Sequence, residues 1–401
     1  MILNVLCFFA LIFLWYLTYR IFFCNLNHES NGGGDQTKSW KTTIKKTGNR
    51  TRNSQFKKRQ WINMKKTLLA LAIASISASA FAVETTSQHS KPTFEFDPMH
   101  KEQFSVSGAW GVGGYYDTKT DALYDDWATA LTVAVNYKNN RLVGYLEVDL
   151  EMNYSTDEVK TNAAGLGIQS GPATDVDKAW LGFDTGYGVL SFGWENDTAL
   201  DKVDGAGDQT YEFGASAGDA SDGFNVIKFQ GSTSGFAYGI STSETSDDRT
   251  KADTAYNGYV GIEQSAFKVY AGYETRDDAD YNVTSVSGNA KLSDALTIGA
   301  NFWIDEGKTD LKDNTTNLEK IGYYLSAGYA VTDSVTLAAG YATNTTKEDG
   351  AADIDRSYVN VAAMYTHSDK IDMGLDIRQD LEVKQGEDEE TYVFAAAYYR
   401  F

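Results

Sequence analysis

The feature that most constrains the fold is a two-residue alternation of apolar and polar side chains that recurs along residues 103–401. Within 141–154, for example, Leu146 and Leu150 alternate with Glu147 and Glu151. A period of two is that of a β-strand with one apolar face. Because a one-residue slip would invert both faces, the register of such strands is strongly specified.

Sixteen segments show this alternation, so the sequence predicts an all-β fold. Their boundaries are expected near 103–116, 125–137, 141–154, 174–184, 188–194, 224–230, 235–244, 255–263, 266–275, 282–291, 295–305, 319–330, 334–344, 355–366, 370–382 and 391–401.

The connections between these segments alternate between long and short, and the long ones hold most of the acidic residues. An even strand number with this alternation is typical of bacterial outer-membrane barrels. The sequence therefore predicts a transmembrane antiparallel β-barrel of 16 strands, with short periplasmic turns and longer extracellular loops.

The strand number also predicts which face points outward. About eight strands already fill a barrel with side chains, so sixteen must enclose water, and the polar faces should point inward. The last strand must pair with the first, because an open sheet edge cannot stand in lipid. Tyr399 and Phe401 are expected on the lipid face at the periplasmic rim, where they would serve barrel closure and assembly.

Residues 64–82 have the three parts of a Sec signal peptide. Lys65 and Lys66 form the basic start, an apolar run follows, and Ala80 and Ala82 form an A-x-A cleavage site. We therefore expect export through the inner membrane and a mature chain that begins at Val83.

Residues 1–63 precede this signal and do not fit an exported chain. They hold an apolar run, Met1–Tyr19, followed by a basic stretch. The preferred interpretation is an upstream extension that is not part of the protein. The alternative is an inner-membrane anchor with its basic flank in the cytoplasm.

Residues 83–102 precede the first strand and show no alternation. One hypothesis is that this pre-barrel segment enters the lumen and restricts it; the alternative is a disordered tail.

The charge of the chain excludes one class of partner. Residues 1–82 carry 12 of the 35 basic and 2 of the 55 acidic residues, which leaves the remainder with a net charge of about −30. Such a surface repels nucleic acid and attracts cations. Both cysteines lie within 1–63, so no disulfide is expected in the mature part.

Catalysis and metal binding find little support. Residues 214–218 match G-x-S-x-G, but no helical pattern follows and no histidine is placed as a partner. No histidine pair has the spacing of metal ligands. We expect no enzyme activity, no metal site and no cofactor.

The longest connection, 195–223, follows the fifth strand and contains Glu212-Phe213-Gly214. With the strand number, the turn alternation, the signal peptide and the terminal Phe401, this stretch makes residues 103–401 resemble the general porins of the Gram-negative outer membrane. In that family the third loop folds inward and often carries Pro-Glu-Phe-Gly-Gly, from which Tyr211 and Ala215 depart.

The resemblance implies a homotrimer in the outer membrane through which ions and small hydrophilic solutes diffuse passively. It also implies contacts with outer-membrane lipid and lipopolysaccharide, and recognition of the C-terminal strand by the barrel-assembly machinery. The loop would narrow the pore, and its candidate constriction residues are Glu195, Asp197, Asp201, Asp204, Asp208, Glu212, Phe213, Asp219 and Asp222.

The family's ladder of basic residues opposite the loop is not evident here. The second strand has no Lys or Arg before Lys138, and the fourth is expected to present Asp177 to the lumen, with Lys178 adjacent. This departure favours a cation-preferring pore. For Glu195, Asp197 and Asp222 the alternative is that they are merely solvated loop charges.

A second hypothesis is a substrate-specific porin, for example for oligosaccharides, with aromatic contacts in the lumen. Trp303 shares its strand face with Asn301 and Asp305, so it is a lumen candidate, as are Tyr211 and Phe213 in the loop. The alternative position for Trp303 is an interfacial girdle. A barrel whose loops matter more than its pore would have unusually long loops, and most here are short.

Overall fold

The structure is a computed structural model that describes residues 103–194, 197–216, 223–246, 252–277, 280–308, 317–348 and 350–401. The chain divides into two units, Met1–His89 and Ser90–Phe401. The upstream extension, the signal peptide with Ala80 and Ala82, and the pre-barrel segment all lie outside the described residues.

Seventeen strand segments follow one another along the described part of the second unit. They are β1 (Gln103–Asp117), β2 (Ala122–Asp125), β3 (Ala130–Asn139), β4 (Leu142–Ser155), β5 (Gly171–Asp184), β6 (Val189–Trp194), β7 (Phe224–Thr233), β8 (Phe236–Glu244), β9 (Thr254–Glu263), β10 (Phe267–Arg276), β11 (Asn282–Lys291), β12 (Leu296–Gly307), β13 (Leu318–Thr332), β14 (Val335–Glu348), β15 (Ile354–Ser368), β16 (Ile371–Glu382) and β17 (Thr391–Arg400).

The segments occupy sixteen positions around one closed antiparallel barrel. β2 and β3 share a position, since both pair with β1 on one side and β4 on the other. The barrel closes where β17 pairs with β1, with Tyr399 opposite Trp110. Beyond that ladder, the Phe401 N–H donates to the Gly108 carbonyl at 3.1 Å and the Gly108 N–H to the Phe401 carbonyl at 3.2 Å. The prediction of a closed 16-stranded barrel is confirmed.

The two faces of the wall have opposite chemistry. Phe104, Val106 and Trp110 are more than 60% exposed on the outer face, whereas Asn301 and Asp376 are almost fully buried on the inner face. An apolar exterior and a polar interior are what a barrel in lipid requires.

Within the residues that the structure describes, helical structure is confined to connections. α1 (Glu158–Ala163) lies between β4 and β5, and α2 (Asp201–Asp204) runs into a 3₁₀ turn (Gly205–Gly207) between β6 and β7. No helix in the described ranges is long and apolar enough to cross a membrane.

The second strand position differs from the sequence prediction, which was one strand over 125–137. Residues 126–129 leave the ladder between β2 and β3, and Asp125 accepts hydrogen bonds from the backbone N–H groups of Ala128 and Thr129. The segment packs on β1 because Gly111 and Gly113 lack side chains there; an added Cβ on Gly111 would lie 2.4 Å from the Ala128 carbonyl oxygen. We call residues 126–129 the lumen bulge.

Replacing Gly113 with alanine should destabilise the barrel. The new Cβ would lie 2.6 Å from the Ala396 Cβ and 2.9 Å from the Ala395 carbonyl oxygen, and both belong to the ordered wall. Overpacking of this kind costs about 1–3 kcal/mol. Thermal unfolding of Gly113→Ala in detergent should show a lower midpoint than wild type.

The matched control is Gly205→Ala, where an added Cβ meets no heavy atom within 4 Å. A Gly113→Ala midpoint no lower than that of Gly205→Ala would show that β1 and β17 accommodate the added side chain without strain.

Candidate functional site

We call the connection between β6 and β7, residues 195–223, the constriction loop, and the part of it that the structure describes lies inside the barrel. Its described part covers 197–216 and Gly223. It begins beside β7 and β8, where the Ala199 N–H donates to the Ser241 hydroxyl at 2.8 Å. It ends against the opposite side of the barrel, where Phe213 lies near β1 and β17. The loop therefore crosses the lumen.

The first half of the loop packs on the wall through apolar side chains. Leu200 and Val203 are almost fully buried in a cluster with the wall residues Tyr270 and Trp303. A Cβ on Gly272 of β10 would lie 2.2 Å from the Leu200 side chain, so this glycine makes room for the loop. Burial of the apolar face of α2 stabilises the inward position.

The backbone of the 3₁₀ turn is satisfied by side chains of the wall. Asn289 donates to the Ala206 carbonyl at 2.8 Å, and Ser326 donates to the Gly207 carbonyl at 2.7 Å. Backbone carbonyls inside a protein need such partners, and these bonds fix the height of the loop in the barrel.

The loop tip is held by one buried carboxylate. The Oδ2 atom of Asp376 on β16 accepts the backbone N–H groups of Tyr211 at 3.1 Å, Glu212 at 3.0 Å and Phe213 at 3.2 Å. Asn360 of β15 donates to both oxygens of this carboxylate at 3.3 Å. Charge-assisted bonds of this kind are stronger than neutral ones.

Hydroxyl groups complete the docking of the tip. Tyr358 donates to the carbonyls of Phe213 at 3.1 Å and Gly214 at 2.9 Å. The hydroxyls of Thr210 and Tyr324 lie 2.9 Å apart. The tip is thus bonded through both its N–H and its carbonyl groups.

Glu212 and Phe213 of the tip approach the first strand. Tyr115 of β1 donates its hydroxyl to the Glu212 carboxylate, and the Phe213 ring lies 6.3 Å from the Tyr115 ring. Burial raises the pKa of Glu212, and the nearby charges of Asp376 and Asp208 raise it further.

The start of the loop forms an ion cluster with β5. Lys178 lies 3.5 Å from Asp197, 3.3 Å from Asp177 and 3.8 Å from Glu147 of β4. Lys228 of β7 also reaches the loop and donates to the Asp197 carbonyl. The two bases, Lys178 and Lys228, lie among the three carboxylates of Glu147, Asp177 and Asp197. They therefore reduce the negative charge of this cluster without reversing it.

The other acidic candidates of the constriction loop lie in the tip turn, in α2 or outside the described residues. Asp208 accepts bonds from the backbone and side chain of Thr210, so it shapes the tip turn. Asp201 and Asp204 lie in α2. Burial, assisted by the charges of Asp197 and Asp204, raises the pKa of Asp201 to about 6. Glu195, Asp219 and Asp222 lie outside the described residues.

The remaining sequence candidates fall in different places. Trp303 points inward but is only 2% exposed, because the first half of the loop covers it. Tyr399 and Phe401 lie on the outer face at the closure with β1. Of the five residues that match G-x-S-x-G, the structure describes Gly214 to Ser216, in a stretch that is not helical. No group of three or more potential metal ligands occurs among the described residues.

Sequence reasoning did not identify Asp376 or the lumen bulge. The alternation of residues 370–382 places Asp376 on the same inward face as Asp372 and Asp380. Nothing in the local sequence indicates which of these three acids holds the loop. The Gly111-x-Gly113 pair was a signal that the wall admits a close approach at this point.

Comparisons with known proteins agree with this geometry. The family model of Gram-negative porins matches residues 67–385. The chain therefore belongs to the Gram-negative porin family, and its barrel is an outer-membrane channel. A comparison with curated protein sequences gave no match.

Several solved structures share the fold. A loop-deletion mutant of OmpT, an outer membrane protein of Vibrio cholerae, has a TM-score of 0.57 at 17% identity over 75% of this chain and 99% of its own. OmpF of Salmonella typhi, solved in complex with daunomycin, has a TM-score of 0.55 at 14% identity over 74% and 97%. An anion-selective porin from Comamonas acidovorans has a TM-score of 0.54 at 13% identity over 75% and 100%.

Removing the Asp376 carboxylate should release the loop tip. In Asp376→Ala, the three backbone N–H groups lose their acceptor, and each buried donor left unpaired costs about 1–3 kcal/mol. We expect single-channel recordings of this variant to show a larger mean conductance and more open-channel noise than wild type.

The control for this change is Asp372→Ala on the same strand, which removes the same charge but only breaks the pair with Arg400 at 2.8 Å. Equal conductance and noise in the two variants would show that Asp376 does not hold the loop.

The raised pKa of Asp201 should make ion selectivity depend on pH. The carboxyl group is charged above about pH 6 and neutral below it, so acidification removes a negative charge from the constriction loop. Reversal potentials measured from about pH 7.5 to about pH 5 should shift in the anion-selective direction as the pH falls, with a component centred near pH 6.

That component should be absent from Asp201→Asn and present in Asp355→Asn, a control at the exposed end of β15. A titration that is identical in Asp201→Asn and wild type would assign the pH dependence to other groups.

Proposed function

We propose that this channel is a water-filled, cation-preferring pore for the passive diffusion of ions and small hydrophilic solutes. The supporting observation is that acids line both the constriction loop and the wall that the loop leaves uncovered. β4 presents Glu147, Asp149 and Glu151 on its inward face, and no Lys or Arg occurs anywhere from Leu142 to Ser155.

The basic residues near this wall are either paired with carboxylates or lie at the end of a strand. Lys178 shares its charge among three carboxylates, and on β3 the first base is Lys138, close to the turn that joins β4. A pore lined by one sign of charge concentrates counter-ions and favours their passage.

The fold alone does not determine selectivity, since one structure with the same fold is described as an anion-selective porin. The sign of the preference must come from the side chains at the constriction.

The alternative function, an oligosaccharide-specific porin, needs aromatic side chains that are open to the lumen, and the three candidates are largely covered. Trp303 is covered by the constriction loop, so no sugar ring can stack on it in this state. Tyr211 and Phe213 pack against the buried Phe394 of β17 and are only partly exposed. We also propose that the channel has no catalytic activity.

We propose Sec-dependent export through residues 64–82, recognition of the C-terminal strand by the barrel-assembly machinery, contacts with lipopolysaccharide, and a homotrimer. A structure of OmpT of Vibrio cholerae is described as a trimer form. The pre-barrel segment, 83–102, is proposed to restrict the lumen.

The test of the function is the reversal potential of the purified protein in a planar bilayer with a KCl gradient. We expect a cation-selective sign. Neutralising β4 with Glu147→Gln, Asp149→Asn and Glu151→Gln together should move the reversal potential towards zero, because these side chains line the uncovered wall.

The matched control neutralises three consecutive acids of an exposed loop, with Glu387→Gln, Asp388→Asn and Glu389→Gln. These residues lie outside the strands, and the control should keep most of the wild-type selectivity. An anion-selective wild type, or equal shifts in both triple variants, would contradict the proposal.

A further inference from the structure

Trp127 of the lumen bulge presents an aromatic surface to the lumen. Its ring lies parallel to the ring of Phe394, with centroids 5.6 Å apart and 13° between planes, and Phe394 is an inward-facing, fully buried residue of β17. The indole N–H donates to the Tyr115 hydroxyl at 2.8 Å. Trp127 is nevertheless 43% exposed. Since one face and the N–H edge are occupied, the exposed area belongs largely to the other face.

The surface is held rigidly. The Asp125 side chain accepts backbone N–H groups of the bulge, and Thr129 exchanges hydrogen bonds with the Gly113 backbone at 3.0 and 3.1 Å. Tyr115, which holds the indole edge, stacks on Tyr124 at 5.3 Å. A fixed aromatic ring loses little entropy when a second ring stacks on it.

The charges around this surface are negative. Asp126 precedes Trp127 and is exposed, and it lies close enough to interact electrostatically with both Tyr115 and Glu212. Glu212 bonds directly to the hydroxyl that holds the indole. On β16, the base Arg378 is paired with Asp380 at 2.8 Å and lies over the Tyr358 ring at 4.1 Å.

We propose that Trp127, Asp126 and Glu212 form a subsite for organic cations that carry a flat ring. The ring would stack on the free face of Trp127, and the ammonium group would face the two carboxylates. Aromatic rings attract one another in offset-stacked arrangements, and the two carboxylates attract the ammonium group. This inference rests on the proposed pore function and specifies one class of solute that the pore would retain.

The experiment measures block of the open channel in planar bilayers by 2-phenylethylammonium. The comparison probes are ethylammonium, which has the charge without the ring, and 3-phenylpropanoate, which has the ring with the opposite charge. We expect concentration-dependent block by 2-phenylethylammonium at concentrations where the other two have little effect.

Two variants test the residues. Trp127→Ala should weaken the block about fivefold, in line with the strength of a stacked aromatic pair. Asp126→Asn should weaken block by 2-phenylethylammonium while leaving the ring stacking surface in place. Trp110→Ala, on the lipid-facing side of β1, is the matched control. This variant should be blocked by 2-phenylethylammonium as strongly as wild type.

The outcomes separate this inference from the function on which it rests. A wild type without channel current contradicts the pore. Normal current with equal block in Trp127→Ala and wild type overturns the subsite alone, as does equal block by 3-phenylpropanoate or by ethylammonium. If Trp127→Ala fails to assemble, Trp127→Leu, which keeps apolar bulk without an aromatic face, serves in its place, and undiminished block there would also overturn the subsite.

Discussion

The interaction on which the pore depends is the docking of three consecutive backbone N–H groups onto the Asp376 carboxylate. A buried charge is costly unless it is fully hydrogen-bonded, and the tip of the constriction loop supplies the donors that this charge needs. The tip offers Tyr211, Glu212 and Phe213, and Asn360 completes the shell. Inside the barrel, the loop and the wall therefore satisfy each other's hydrogen-bonding groups.

The docked loop provides buried packing inside a barrel that is too wide for its wall side chains to fill. Sixteen strands enclose too much space for wall side chains to fill. The constriction loop fills one side of that space, with Leu200 and Val203 packed on the wall at one end and Phe213 near Phe394 at the other. The open side is bounded by β4 with its row of acids, so the same loop position that stabilises the barrel also determines which charges line the pore.

The barrel could be predicted from the sequence because its signals are local. Alternation specifies each strand, loop length specifies each connection, and closure follows from the cost of an open edge in lipid. The contact between Asp376 and Tyr211 joins residues 165 positions apart, and no local pattern encodes it. The break at 126–129 was missed because it depends on glycines of another strand. The alternation of β12 correctly places Trp303 on the inward face. It does not reveal that the constriction loop covers this side chain.

Hydrogen exchange of the native channel tests the docking of the tip most directly, since it reports on the backbone N–H groups themselves. The peptide that covers residues 209–216 should be compared with the exposed loop 383–389 in the same protein. If Asp376 accepts the three N–H groups, we expect the first peptide to exchange far more slowly than the second. Equally fast exchange in both peptides would contradict a docked constriction loop.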